Sequence, residues 1–274
     1  MSKRPWKYPR EIDFDSTKIE TEPSGFKSLD EFMVFKKNTY ELITLAALPG
    51  VGKSQLALQI AGFVSVKKEV LYFSTEMSAN ILTARLCAAR YSIPLKSILT
   101  RDLAENQVRF EDAQLDLDLL KLGIVDDFPK SIDSVYKICD QAQGLGLIVI
   151  DQMPQFVESF EGYEGINRLT ASFKTLAQKK KCPVLMVAQL NRSMQNRRRS
   201  DESTQRPMYS DLKGSSSIEQ DSDIVMFLTA DRDVNPNTTH VHIVKNKNGR
   251  TGDFNLQWLS TFVQFNDFQG DLFR

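Results

Sequence analysis

The chain has 274 residues, 41% hydrophobic and 26% charged, with 13 Gly and 10 Pro, a globular composition that excludes disordered and collagen-like classes and suits one domain, with or without a short arm. Its 35 basic and 35 acidic residues cancel, so no histone-like or acidic-tail character announces a partner, and charge has to be read locally. Three scattered cysteines, Cys87, Cys139 and Cys182, fit neither a disulfide framework nor zinc spacing. With no apolar run near the ~18 to 20 residues of a membrane span, a soluble protein of the reducing cytoplasm is expected.

In chain order, the first ten residues are basic with two prolines, and 1–23 are expected to form an extended arm before a motor-sized domain over 24–274. Buried strands are expected at Leu42 to Ala47, Val70 to Ser74, Leu147 to Asp151, Val184 to Ala188 and Ile224 to Leu228. Between them, Ile132, Val135, Cys139 and Ala142, and then Ile166, Leu169, Phe173 and Leu176, recur at helical spacing. This alternation predicts an α/β fold with a mainly parallel central sheet flanked by helices. Beyond residue 240 the pattern changes to period two, around Lys245-Asn-Lys-Asn-Gly-Arg250, where Asn248-Gly249 signals the turn of an antiparallel hairpin. Residues 191–217 form a long polar stretch, expected to be an interaction segment.

The strand at Leu42 runs into Ala47-Leu-Pro49-Gly50-Val51-Gly52-Lys53-Ser54-Gln55, which has the spacing of a Walker A loop with Ala47 in place of the first glycine. Backbone N–H groups at the following helix start would surround phosphate oxygens, Lys53 would add a point charge and Ser54 would hold Mg²⁺. Four apolar residues ending in Asp151 put a carboxylate at the strand's C-terminal edge, the place of a second magnesium contact. Glu76, after the strand ending at Ser74, is either a general base for the attacking water or a helix-dipole partner. Gln189 ends another strand with a neutral amide suited to sensing a γ-phosphate.

Together these motifs resemble the RecA-like motor domain of hexameric replicative DNA helicases of the DnaB type. The resemblance is carried by Gly25-Phe-Lys-Ser-Leu-Asp30, Ala47 to Ser54, Phe73-Ser-Thr-Glu76-Met, Ile148-Val-Ile-Asp151 and Ala188-Gln-Leu-Asn-Arg192. It continues through Arg206-Pro, Ser210-Asp211-Leu212-Lys213, Ser217-Ile-Glu-Gln-Asp221-Ser-Asp223 and Lys245-Asn-Lys-Asn-Gly249. It implies a RecA-like P-loop NTPase using ATP and Mg²⁺, with Lys53 through Gln55 on the nucleotide, Ser54 and Asp151 on the metal, Glu76 catalytic and Gln189 the sensor. It also implies a hexameric ring in which the hairpin cations Lys245, Lys247 and Arg250 reach a neighbour's site, with primase or a helicase loader as possible partners. The family's amino-terminal helical tier has no counterpart in the short arm. Lys247 stands where the family has an arginine finger and lacks the planar fork of arginine. Lys213-Gly214-Ser215-Ser216 replaces the family's Arg-Glu-Ser-Gly.

Arg192, Arg197, Arg198, Arg199, Arg206 and Lys213 outnumber the acids of their stretch, so with Gly214, Ser215 and Ser216 they are expected to contact single-stranded DNA through its phosphates. From charge alone, the same loop reads as a solvated surface. The expected activity is ATP-driven translocation on single-stranded DNA and unwinding of forked duplex. The rivals are a RecA- or RadA-like recombination ATPase and an ATP-dependent DNA-binding or loading module that does not unwind.

Overall fold

The computed structural model describes residues 20–36, 39–152, 162–190, 207–212 and 215–268, the side chains of 162–164 and 215–216 aside. Numbered in chain order, the strands are β1 (Thr21–Glu22), β2 (Phe35–Lys36), β3 (Leu42–Ala47), β4 (Glu69–Ser74), β5 (Leu122–Val125), β6 (Leu145–Asp151), β7 (Val184–Gln189), β8 (Ile224–Thr229), β9 (Thr238–Asn246), β10 (Gly252–Leu259) and β11 (Gln264–Asp267). The helices are α1 (Lys27–Asp30), α2 (Lys53–Val64), α3 (Ala79–Tyr91), α4 (Leu95–Thr100), α5 (Gln107–Leu117), α6 (Ile132–Cys139), α7 (Gly162–Lys180) and α8 (Ser215–Asp221).

One sheet dominates, in the order β11-β10-β9-β8-β3-β7-β6-β4-β5. From β8 to β5 its neighbours run parallel, and β9, β10 and β11 extend it antiparallel. The division follows from the side chains. Every residue of β3 and of β8 is buried, as expected of unbroken aliphatic runs covered on both faces. Burial along β9 alternates from Thr238 to Ile243, the signature of a strand with one wet face. Each of the five strands expected from sequence is present, extended by one or two residues at an end in every case but β3.

Several elements lack a strong sequence signature. The helices α3, α4 and α5 carry their own small core, built on Cys87, Ile93, Ile98, Leu103 and Phe110. The polar stretch is not all irregular, because a 3-10 turn spans Tyr209–Asp211 and α8 begins at Ser215. The hairpin connection is longer than a two-residue turn, since Ile243 of β9 pairs with Gly252 of β10. Gly249 does not adopt a positive φ there. It is required for close approach, because a Cβ would sit 2.7 Å from Asn246 Nδ2 and 2.9 Å from the Phe32 carbonyl oxygen.

Candidate functional site: a phosphate-binding loop and the two ends of the sheet

The loop after β3 reaches α2 through two glycines with positive φ, Gly50 at +80° and Gly52 at +109°. At Gly52 an added Cβ would also lie 2.7 Å from Phe265 Cζ, so both conformation and space demand glycine. The first intrahelical bond of α2 is from Leu56 N–H to the Gly52 carbonyl at 2.9 Å. The N–H groups of Lys53, Ser54 and Gln55 therefore project from the helix start, where the macrodipole also favours an anion.

Beside this helix start, Ser54 Oγ donates to Asp151 Oδ1 at 3.0 Å and the Tyr72 hydroxyl donates to Asp151 Oδ2 at 2.7 Å. Asp151 is 2% exposed. Burial pushes its pKa above the ordinary carboxylate range, and Glu76 adds to this, against the opposing hydrogen bonds from Tyr72 and Ser54 and the Lys53 charge. Burial, with the Asp151 charge, also drives the Tyr72 hydroxyl well above its usual value, so it remains a donor. The oxygens of Ser54 and Asp151 form a hard donor pair that suits Mg²⁺, an ion that completes its shell with waters and substrate phosphates.

Glu76 is exposed just beyond β4, and its Oε2 accepts from Gln152 Nε2 at 2.6 Å. Thr75 locks the ends of β4 and β6 together, with its N–H donating to the Asp151 carbonyl at 2.7 Å and its hydroxyl accepting from the Gln152 N–H at 3.0 Å. Gln189 lies directly opposite Ala47 in the sheet. The next residue, Leu190, donates to the Ala47 carbonyl at 3.1 Å and bridges to Leu212, so β7 connects the loop to the segment just before Lys213. The structure thus gathers Ala47, Pro49 through Gln55, Glu76, Asp151 and Gln189 at the C-terminal edge of the parallel strands.

Three residues here escaped the sequence reading: Tyr72, Gln152 and Arg85. Tyr72 carried the one available signal, a hydroxyl inside an apolar strand, and Arg85 of α3 acts on it electrostatically. Arg232 is a further contributor behind the loop. Its guanidinium donates to the Val51 carbonyl at 3.4 Å and to Thr239 Oγ1 at 2.8 Å, and stacks 5.5 Å over the Trp258 ring.

The hairpin cations are elsewhere. Ala47 is level with Leu228, and Leu228 with Val241, whereas Ile224 faces Asn246 at the other end of the sheet. At ~3.3 Å per residue, the hairpin tip is about 17 Å along the strands from its own phosphate-binding loop. There Lys247 Nζ is 2.9 Å from Asp223 Oδ1, Lys174 engages Asp223 Oδ2, and the Leu42 N–H donates to that same oxygen at 2.8 Å. Burial raises the Asp223 pKa, but these donors outweigh it and hold the group below its ordinary value. Lys245 is bonded to the Glu219 carbonyl. Arg250 pairs with Glu31 at 2.6 Å and lies 4.6 Å over the Phe32 ring.

The DNA-contact residues Arg192, Arg197, Arg198, Arg199, Arg206, Lys213 and Gly214 lie outside the described residues. Ser215 and Ser216 open α8. Lys179 and Lys180 lie in the last turn of α7, Lys179 over the Tyr136 ring and Lys180 paired with Asp140, in keeping with a dipole-facing structural role.

Residues 22–267 match the family model described as the DnaB-like helicase C terminal domain. The chain belongs to this family. Among curated DnaB-like relatives, it is 34% identical over 260 residues to the replicative DNA helicase DnaB of Geobacillus stearothermophilus and 33% identical over 264 residues to the replicative DNA helicase DnaC of Bacillus subtilis (strain 168). Each match covers 89% of this chain and 56% of the relative, so the chain spans little more than half their length. Among solved structures, one described as an isolated ATPase domain superposes with a TM-score of 0.82 at 25% identity, covering 93% of this chain and 95% of that one. A DnaB-like replicative helicase, described with its interactions with primase, gives 0.81 at 26% identity, covering 95% and 65%. These likenesses agree with the RecA-like architecture and with the parallel sheet extended by an antiparallel C-terminal part. Among the described residues, no helix is long and apolar enough to cross a membrane.

Proposed function

We propose that this chain is the ATP-hydrolysing motor of a replicative DNA helicase, with 24–274 as the motor and 1–23 as an arm that links subunits of a hexameric ring in the cytoplasm. Lys53 and the free N–H groups of α2 bind the phosphates of ATP, with Ala47 and Pro49 through Gly52 shaping the loop. Ser54 and Asp151 hold Mg²⁺, which supplies charge neutralisation at the phosphates when bound. Glu76, oriented by Gln152, takes the proton of the attacking water, and Gln189 reads the γ-phosphate and passes its state through Leu190 and Leu212 to the DNA loop. Arg192, Arg197, Arg198, Arg199, Arg206 and Lys213 to Ser216 follow the backbone of single-stranded DNA as the ring advances into a forked duplex. A primase or a helicase loader is the expected partner.

The observation that carries this reading is the separation of the two charged centres. A phosphate-binding loop and a triad of cations sit at opposite ends of one sheet, so Lys245, Lys247 and Arg250 can reach a nucleotide only on another copy. Lys247 is the residue assigned to that contact, because Arg250 is engaged by α1. Lys247→Ala protein should bind ATP but hydrolyse it poorly, and mixing it with Lys53→Ala protein should restore part of the turnover. Full turnover by demonstrably monomeric Lys247→Ala protein would remove the shared site, and failure of the wild type to unwind a forked duplex would favour a loading module.

A further inference from the structure

Gln55 is the third residue of α2 and is 3% exposed. Neither its Nε2 nor its Oε1 has a hydrogen-bond partner among the described residues. A buried amide left in this state costs about 1–3 kcal/mol, so an orphan of this kind calls for an explanation. Nearby polar side chains are already committed. Gln59, one turn later, exchanges two bonds with the Phe265 backbone at 2.8 and 3.0 Å, and Ser54 is turned to Asp151.

Direction supplies the second half of the argument. Side chains of a helix lean toward its N-terminus and cover the preceding turn. The turn before Gln55 is the phosphate-binding loop, closed on one side by the Phe265 ring against Gly52. The Gln55 backbone N–H is also among the free donors of this helix start, because the first intrahelical bond begins at Leu56. Main-chain and side-chain donors of one residue therefore converge on the volume an anion would fill.

We propose that Gln55 is a nucleotide-contact residue whose side-chain amide, unsatisfied in the empty protein, completes its hydrogen bonds on bound nucleotide. Nε2 donates to an oxygen of the phosphate chain, and Oε1 accepts from a sugar hydroxyl. This rests on the nucleotide-binding reading of the loop and deepens it, since it makes Gln55 a residue that trades stability of the empty protein for affinity.

The trade gives two readouts of opposite sign. Gln55→Leu replaces the amide with an apolar group of similar size, and Gln55→Met is the second variant should the branched side chain not fit. Without nucleotide, the variant should melt ~2 to 4 °C higher, the shift expected when about 1 kcal/mol of unmet polar burial is removed from a domain of this size. Calorimetric titration with Mg-ADP should show affinity lowered about tenfold, the effect of losing ~1.4 kcal/mol of hydrogen bonding. Unchanged affinity overturns the proposal, and if the melting temperature also falls, the amide is held by an internal water. Lower affinity with a lower melting temperature also overturns it, because the amide then supports the empty fold. If wild-type protein binds no Mg-ADP, the nucleotide reading of the loop fails, and this inference with it.

Discussion

Replacing Tyr72 by Phe tests the electrostatics around Asp151 without changing the shape of the core. The ring is fully buried in β4, and only the hydroxyl that donates to Asp151 Oδ2 at 2.7 Å is lost. A hydrogen bond to an ionised group contributes ~1.5–3 kcal/mol, and Asp151, at 2% exposure, has little access to water as a substitute. At ~2–4 °C per kcal/mol for a domain of this size, metal-free Tyr72→Phe protein should melt roughly 3–12 °C lower at about pH 8. The pH dependence follows from the raised pKa of Asp151. The folded state binds this proton more tightly than the unfolded state, so stability from this group is greatest below the unfolded value of 3.8 and declines as pH rises through the folded value. Losing Tyr72, which lowers that folded pKa, prolongs the decline to higher pH. The gap between variant and wild type should therefore narrow from about pH 8 to about pH 5. Added Mg²⁺ should also narrow it, by engaging the carboxylate directly. A gap that stays constant, or widens toward acid, would show that the hydroxyl does not support the ionised carboxylate.

Gly52→Ala should be far more damaging than Gly50→Ala, although both glycines have positive φ. The Gly52 Cβ meets Phe265 Cζ at 2.7 Å, while nothing lies within 4 Å of a Cβ at Gly50. Gly50→Ala should cost ~1–2 kcal/mol of backbone strain in denaturant unfolding, and an equal cost at both positions would dismiss the Phe265 contact. Gln152→Ala removes the 2.6 Å donor to Glu76 and leaves the loop untouched. It should lower kcat for ATP roughly tenfold or more with KM within about twofold, whereas a change confined to KM would place Gln152 in binding rather than in positioning the base.

The central architecture was legible because its strands bury both faces. Runs such as Leu147 to Asp151 have no competing pattern, and the functional residues sit where those runs stop. Glu76, Asp151 and Gln189 are each at the C-terminal end of such a strand or within two residues of it, so reading the strands amounted to reading the site. What escaped depends on contacts distant in sequence. Gln152 looks like any loop amide until β4 and β6 are paired, 76 residues apart, and only then does it face Glu76. Gly249 appeared to serve turn conformation, but its reason is the Phe32 carbonyl, brought there by α1.

The tip of the hairpin was similarly opaque, because Lys247 is defined by where Asp223 stands. Asp223 precedes β8 and accepts the Leu42 N–H, so it is fixed to the first residue of β3. The last residue of β3, Ala47, opens the phosphate-binding loop. One buried six-residue strand therefore joins the residue that holds Lys247 to the loop at the other end of the sheet. Lys174 and the Leu42 N–H still satisfy Asp223 if Lys247 leaves, so release of that lysine leaves no bare buried carboxylate behind. The side chain of Lys174 is the less exposed of the two lysines, 24% against 47%, which makes Lys247 the one that can exchange this carboxylate for an anion on another copy while the strand beneath it keeps its register.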